Sequence, residues 1–244
     1  MARSVYWQTT CTLLHDGEET FIVDSPVFPD ELEALPAILQ QAGWGLSGLL
    51  ATHGDWDHLL ARTVFPEASL GVAETTAARL RAEPGAAQRE LRTADEELYV
   101  QRKPLSLGEV QALPVPGKLE LGDTELELHP ATGHTVDGMA VWAPFAGVLC
   151  SGDYLSPVEI PLVEDSPSNY LTTLRVLEPL VAKAKWVVPG HGSPLDAARA
   201  AAILREDIAY VEALATAPDA AKLPIARSDR RQKQLHRENL ARLN

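Results

Sequence analysis

Apolar and polar positions change their period several times along the chain, and the changes delimit its elements. Residues 4–10 and 20–23 read as two strands joined by a turn at His15-Asp16-Gly17, the second strand ending at Asp24. Residues 29–41 place apolar side chains at helical spacing, with Pro29 near the start and Gly43 past the end. A short apolar run over 46–51 follows as a strand. Residues 59–65 read as a helix stopped by Pro66, 69–72 as a strand, and 73–81 and 86–100 as helices parted by Pro84-Gly85. This stretch, rich in Ala, Arg and Glu, is expected to cover one face of the sheet. From 119 to 128 the pattern alternates about Gly122-Asp123, the mark of a β-hairpin. Strands at 139–143, 148–150 and 186–188 and helices at 170–184, 197–215 and 228–243 complete the chain. Strands and helices, then strands and helices again, predict an α/β protein whose two similar halves face each other in a four-layer αββα sandwich. One domain over 1–244 is expected, with a C-terminal helical segment from about 197.

The polar residues at the strand ends change this picture from architecture to chemistry. The run Thr52-His53-Gly54-Asp55-Trp56-Asp57-His58 sits between the 46–51 strand and the helix after it. Open α/β sheets gather ligands at the C-terminal ends of their strands. In extended backbone His53, Asp55 and Asp57 would face one way and His58 another, so the cluster could feed two neighbouring metal positions. A loop capping a helix through Asp57 would account for one carboxylate, not for two flanking histidines. Three more strand ends carry a ligand type beside glycine: His134 after Gly133, Asp153 after Gly152, and His191 between Gly190 and Gly192. Four strand ends so equipped point to a shared metal centre.

Composition mainly excludes. The 244 residues carry a formal net charge of −13. That argues against nucleic acid or an anionic membrane as partner and leaves a small-molecule substrate, with the oligomeric state open. Of the two cysteines, Cys150 lies in an apolar run and reads as a buried free thiol, while a disulfide to Cys11 stays open. No apolar stretch precedes Val5-Tyr6-Trp7 or approaches the length of a membrane span, so a cytoplasmic location is expected.

Together the motifs His53-x-Asp55-x-Asp57-His58, Gly133-His134-Thr135, Ser151-Gly152-Asp153 and Pro189-Gly190-His191-Gly192 resemble those of the metallo-β-lactamase-fold hydrolase superfamily, over roughly residues 4–195. The glyoxalase II branch is the most similar. The resemblance implies that His53, Asp55 and His134 hold a first divalent ion and that Asp57, His58 and His191 hold a second. Asp153 would bridge the two, and Asp24 would be structural. Zinc is the first expectation, iron or manganese the alternatives. The family's motif has histidine where this chain has Asp55, which makes the first position harder and more negative. Replacing Asp55 with His is therefore expected to raise zinc affinity.

The implied reaction is hydrolysis of an ester, thioester or lactone by a hydroxide shared between two metals. Asp57 would accept its hydrogen bond and move its proton. The alternative is an iron-dependent oxidoreductase similar to persulfide dioxygenases. Tyr154, beside Asp153, could donate to a developing oxyanion in the bound substrate, although a structural role is the favoured reading. Arg227, Arg230, Arg231, Lys233 and Arg237 could hold the carboxylates of a glutathione thioester, although a solvated helix face is favoured there too. His15 and His236 are expected to stand outside the site, and His129 either behind the ligands or at the surface.

Overall fold

The structure, a computed structural model, describes residues 1–243 apart from the side chain of Asp219. Its first sheet comprises β1 (Ala2–Arg3), β2 (Thr10–Asp16), β3 (Glu19–Val23), β4 (Gly48–Leu50), β5 (Leu70–Ala73) and β6 (Val110–Leu113), in that order. The early strands pair antiparallel, and β3 to β6 run parallel. The second sheet has the order β11 (Trp186–Pro189), β10 (Val148–Gly152), β9 (Met139–Ala143), β8 (Thr124–Pro130), β7 (Gly117–Leu121). The predicted hairpin is β7–β8, in register from Gly117 opposite Leu128 to Leu121 opposite Thr124.

Three apolar clusters identify the layers. Leu14, Val23, Leu50, Leu126, Leu128, Met139 and Val141 fill the space between the sheets. Ile22, Leu49 and Val72 pack outward against α1 (Pro29–Ala42), α2 (Glu74–Ala82) and α3 (Ala86–Leu98). Leu149 and Val187 pack outward against α4 (Pro167–Lys183) and α5 (Ala197–Thr216), with α6 (Arg230–Leu243) alongside. This is the predicted four-layer sandwich. The helices begin and end for local reasons. Ser166 and Asp196 accept the Asn169 and Arg199 N–H groups at the starts of α4 and α5, and Gly43 takes the left-handed conformation that closes α1. No helix among the described residues is long and apolar enough to cross a membrane.

Two expectations are corrected. Residues 4–9 are a loop rather than the front of a strand. Trp7 and Gln8 adopt φ of 51° and 55°, and the Ser4 N–H donates to Thr9 O at 2.8 Å, so the chain doubles back before β2 begins. Residues 59–65 are not an α-helix either. They form the second of two short 3-10 turns, Trp56–His58 and Leu60–Thr63. Their i to i+3 bonds are reinforced by the Thr63 hydroxyl on Leu60 O, and Pro66 denies the stretch the length an α-helix needs.

Candidate metal centre

The C-terminal ends of β4, β8, β10 and β11 meet at one edge of the sandwich, and the loops after them carry every predicted ligand. Asp24, at the end of β3, ties the first loop down. Its Oδ1 accepts the Thr52 N–H at 2.8 Å and its Oδ2 the Thr52 hydroxyl at 3.0 Å. Asp153 is raised by a register shift between Cys150 and Gly152 in the β10–β11 pairing. Gly190 leaves room for it, because a Cβ there would lie 2.1 Å from Asp153 Oδ1. Gly133 has φ of 117° and lies so close to α4 that a Cβ would stand 2.2 Å from the Tyr170 nitrogen.

Two groups of ligand atoms result. His53, Asp55 and His134 form one, and Asp57, His58 and His191 the other, each with its atoms within 4.8 Å of one another. Asp153 lies between them. Its Oδ1 is 3.2 Å from His58 Nε2, and its Oδ2 is 3.3 Å from His134 Nε2, 3.2 Å from His191 Nε2 and 3.9 Å from His53 Nε2. The expected alternation along the loop holds for His53 and Asp55 but not for Asp57. The 3-10 turn at 56–58 rotates Asp57 onto the His58 side, where its Oδ2 is 3.6 Å from His191 Nε2.

All four imidazoles face the centre through Nε2, and each has an oxygen beside Nδ1. His134 Nδ1–H donates to Leu162 O at 2.9 Å, and His191 Nδ1–H to Trp7 O at 3.0 Å. His53 Nδ1 meets the Thr52 hydroxyl oxygen at 3.1 Å, and His58 Nδ1 lies 3.1 Å from Asp24 Oδ2. For His53, His134 and His191 this is the outer arrangement that fixes metal-binding histidines in one tautomer and orientation. The Nε2 atoms of His53, His58 and His134 are buried and have no hydrogen-bond partner among the described residues. Buried polar nitrogens seldom go unpaired, so the donor set fits divalent cations.

Charge is balanced by protons when no cation is bound. Burial alone would lower the pKa of His134. The Asp55 carboxylate beside it and the nearby Asp153 charge override it and raise it to about 9. For His191, burial is likewise outweighed by Asp153 and Glu159, which bring it to about 10. Burial would raise the Asp55 carboxyl, but the His53 charge and the close His134 imidazole hold it well below the usual range. In the metal-free protein the protonated His134 and His191 contribute stability in full below a free imidazole's 6.5, and that contribution is lost as pH rises through about 9 and about 10. Cation binding needs these imidazoles deprotonated, so affinity should climb over the same interval. Urea unfolding with chelator present should show a lower midpoint at pH 9.5 than at pH 6.5. Added zinc should stabilise more at the higher pH; a midpoint flat across that interval counts against this charge balance.

Tyr154 stands where its favoured, structural reading puts it. It is 2% exposed, its hydroxyl accepts the His134 N–H at 3.0 Å, and burial pushes its own pKa upward. It sits behind His134 and steadies that loop. Four contributors were not visible in the sequence. Glu159, in the irregular segment after β10, offers an oxygen within 4.8 Å of the Asp153 and His191 ligand atoms. Trp7 supplies the carbonyl for His191 and a ring 4.3 Å from the Arg231 guanidinium. Arg79 and Asp137 flank Asp55 on its outer side. Only the extra charge at Asp55 hinted that a cation would be needed nearby. The basic cluster also divides. Arg230, Lys233 and Arg237 are exposed as expected. Arg227 is 1% exposed and paired with Asp207 at 2.7 Å, and Arg231 is paired with Glu159 at 2.6 Å. His15 stacks on Trp44, and His236 contacts the Tyr210 hydroxyl, both outside the site. Both cysteines are free and buried.

Two facing mixed sheets flanked by helices, with histidines and aspartates gathered at one edge, define a metal-binding α/β sandwich. The model of the metallo-beta-lactamase superfamily matches residues 5–191, and the chain belongs to that superfamily. A metallo-beta-lactamase family protein from Thermus thermophilus superposes with a TM-score of 0.65 at 23% identity, over 86% of this chain and 78% of that one. A metallo-beta-lactamase from Pontibacter korlensis gives 0.60 at 18% identity, over 81% and 87%. The stereoselective inverting sec-alkylsulfatase Pisa1 from Pseudomonas sp. gives 0.73 at 12% identity, over 96% of this chain but 46% of its own length. At these identities the likeness is one of fold. No curated protein sequence matches the chain.

Proposed function

We propose that this protein is a binuclear metal-dependent hydrolase of esters, thioesters or lactones. The observation that carries the reading is the convergence of four Nε2 atoms on Asp153, three of them without a hydrogen-bond partner among the described residues. His53, Asp55 and His134 would hold one cation, Asp57, His58 and His191 the other, and Asp153 would be shared. A cation pair supplies Lewis acidity and a water that ionises near neutral pH. The chain's own residues do the rest. Asp57, its Oδ2 directed at the centre, takes the proton of the attacking water and returns it to the leaving group. Leu162 O and Trp7 O keep His134 and His191 oriented throughout.

The cavity over the centre has a volume of about 490 Å³, within the range of small-molecule sites. Its cationic lining side chain, Arg231, is already engaged by Glu159, while Glu90 and Glu238 are anionic. This charge pattern favours an uncharged lactone or ester over the carboxylate-bearing glutathione thioester that the basic C-terminal residues had suggested. Elemental analysis of protein purified without chelator, followed by a panel of neutral lactones, neutral esters and glutathione thioesters, tests the reading. Two divalent ions per chain and preferential turnover of the neutral substrates are expected. The group of His53, Asp55 and His134 is also the two-histidine, one-carboxylate set used by iron oxygenases. One iron per chain with oxygen uptake and no hydrolysis would replace the hydrolase by that oxidoreductase.

A further inference from the structure

Asp55 is the point at which the chain departs from its family's motif, and its surroundings differ on its two sides. Oδ2 faces inward, 3.5 Å from His53 Nε2 and 3.6 Å from His134 Nε2. Oδ1 faces outward and accepts a hydrogen bond from Arg79 Nη1 at 2.8 Å. The same nitrogen donates to Asp137 Oδ1 at 2.8 Å, and the Arg79 Nε lies 4.0 Å from Glu83. Asp137 is itself fixed, because its Oδ2 accepts the Gly54 N–H at 2.9 Å. A Cβ on Gly54 would lie 3.2 Å from Asp137 Oδ2 and 3.6 Å from Arg79, so the ligand loop lies directly against this pair. Helix α2 therefore does more than cover the sheet. It delivers one guanidinium to the outer face of one ligand.

We infer that Arg79 is a positioning residue that makes Asp55 act as a histidine would: it occupies one carboxylate oxygen, offsets the carboxylate charge and leaves a single oxygen for the first cation. This inference rests on the cation-pair reading of the site. An imidazole presents one donor atom and no net charge. A free carboxylate presents two donor atoms and a negative charge, and here it would stand close to Asp57 and Asp153. With Oδ1 held by Arg79, Asp55 has one inward donor, and its charge is partly offset by a guanidinium that it shares with Asp137. Arg79 holds Asp55 and Asp137 at once through the two hydrogens of one nitrogen, Nη1, and its guanidinium stays charged at any working pH.

The test is a double-mutant cycle on chelator-treated protein reloaded with zinc alone. Affinity and stoichiometry are read by competition with a chromophoric chelator. Arg79→Gln in the natural background should weaken one of two zinc sites by about 10–100-fold, the usual effect of losing a partner of a metal ligand, and leave the other unchanged. In the Asp55→His background Arg79→Gln should cost nothing, because a histidine needs no counter-ion; Asp55→His reaches its full gain in zinc affinity only in that pair. Arg79→Gln/Asp137→Asn removes the buried ion pair as a unit and should behave as Arg79→Gln does, which guards against misfolding of the single variant. Equal loss in the natural and the Asp55→His backgrounds would reduce Arg79 to a structural residue, and undiminished affinity in Arg79→Gln would end the inference outright. A natural protein that binds no zinc, manganese or iron would instead overturn the cation-pair reading beneath it.

Discussion

Asp153→Ala is expected to abolish the proposed hydrolysis and to cost more cation affinity than any other single change in the site. The carboxylate sits 3.2–3.3 Å from three imidazole nitrogens and 3.9 Å from a fourth, on the line between the two ligand groups. Each cation would lose the one anionic ligand it shares, and four buried histidines would be left to face one another. Removing the central member of such a buried charged cluster costs about 3–5 kcal/mol of metal-free stability. A second consequence separates this from general damage. Asp153 is a main reason that His134 and His191 hold protons so tightly when no cation is bound. Without it both pKa values should fall toward that of free imidazole, and the loss of metal-free stability at alkaline pH should flatten. Thermal shift with and without zinc, at pH 6.5 and 9.5, reads both effects. A variant that keeps its zinc-induced shift within a degree of the natural protein's would remove Asp153 from the centre.

The parts of this design that were legible in the sequence are those set by local chemistry. Pro29 and Gly43 bracket α1, Gly122-Asp123 turns the β7–β8 hairpin, and alternation marks the strands on either side. The ligand loop was legible because its residue types are costly to bury for any other purpose. What escaped was set by contacts between distant segments. Trp7 and Gln8 take left-handed backbone although neither is glycine, and Trp7 is held by stacking on Tyr6 at 4.3 Å and by Arg231 from the far end of the chain. Arg227 reads as a surface charge until Asp207, twenty residues earlier on α5, is found against it. Glu159 lies in a segment with no periodicity. Arg79 is one arginine among several on an amphipathic helix, and only the position of Asp55 in space singles it out.

That segment without periodicity, residues 155–166, gives the other large expected effect, because the C-terminal helix takes the place of a neighbouring strand for it. The Ile160 N–H donates to Gln232 Oε1 at 2.8 Å, and Arg227, just before the helix, donates to the carbonyls of Ser156 and Glu159 at 3.2 and 2.8 Å. Asn239 does the most. It is fully buried, its Oδ1 accepts the Val163 N–H at 2.8 Å, and its Nδ2 donates to Pro161 O at 2.7 Å and to the Tyr210 hydroxyl at 3.1 Å. Leucine at 239 would match it in size and leave a buried N–H and a buried C=O unpaired. At about 1–3 kcal/mol for each group, Asn239→Leu should lose roughly 2–6 kcal/mol of stability, seen as a lower urea midpoint with unchanged slope. Gln232→Leu strands one backbone group and should lose about half as much. The effect should also reach the metal centre. Leu162, between the two groups that Asn239 holds, carries the carbonyl that orients His134. Zinc affinity at the His53, Asp55 and His134 position should therefore drop in Asn239→Leu even at temperatures where the variant is fully folded. A variant that is destabilised yet binds zinc as the natural protein does would confine α6 to holding the fold and detach it from the site.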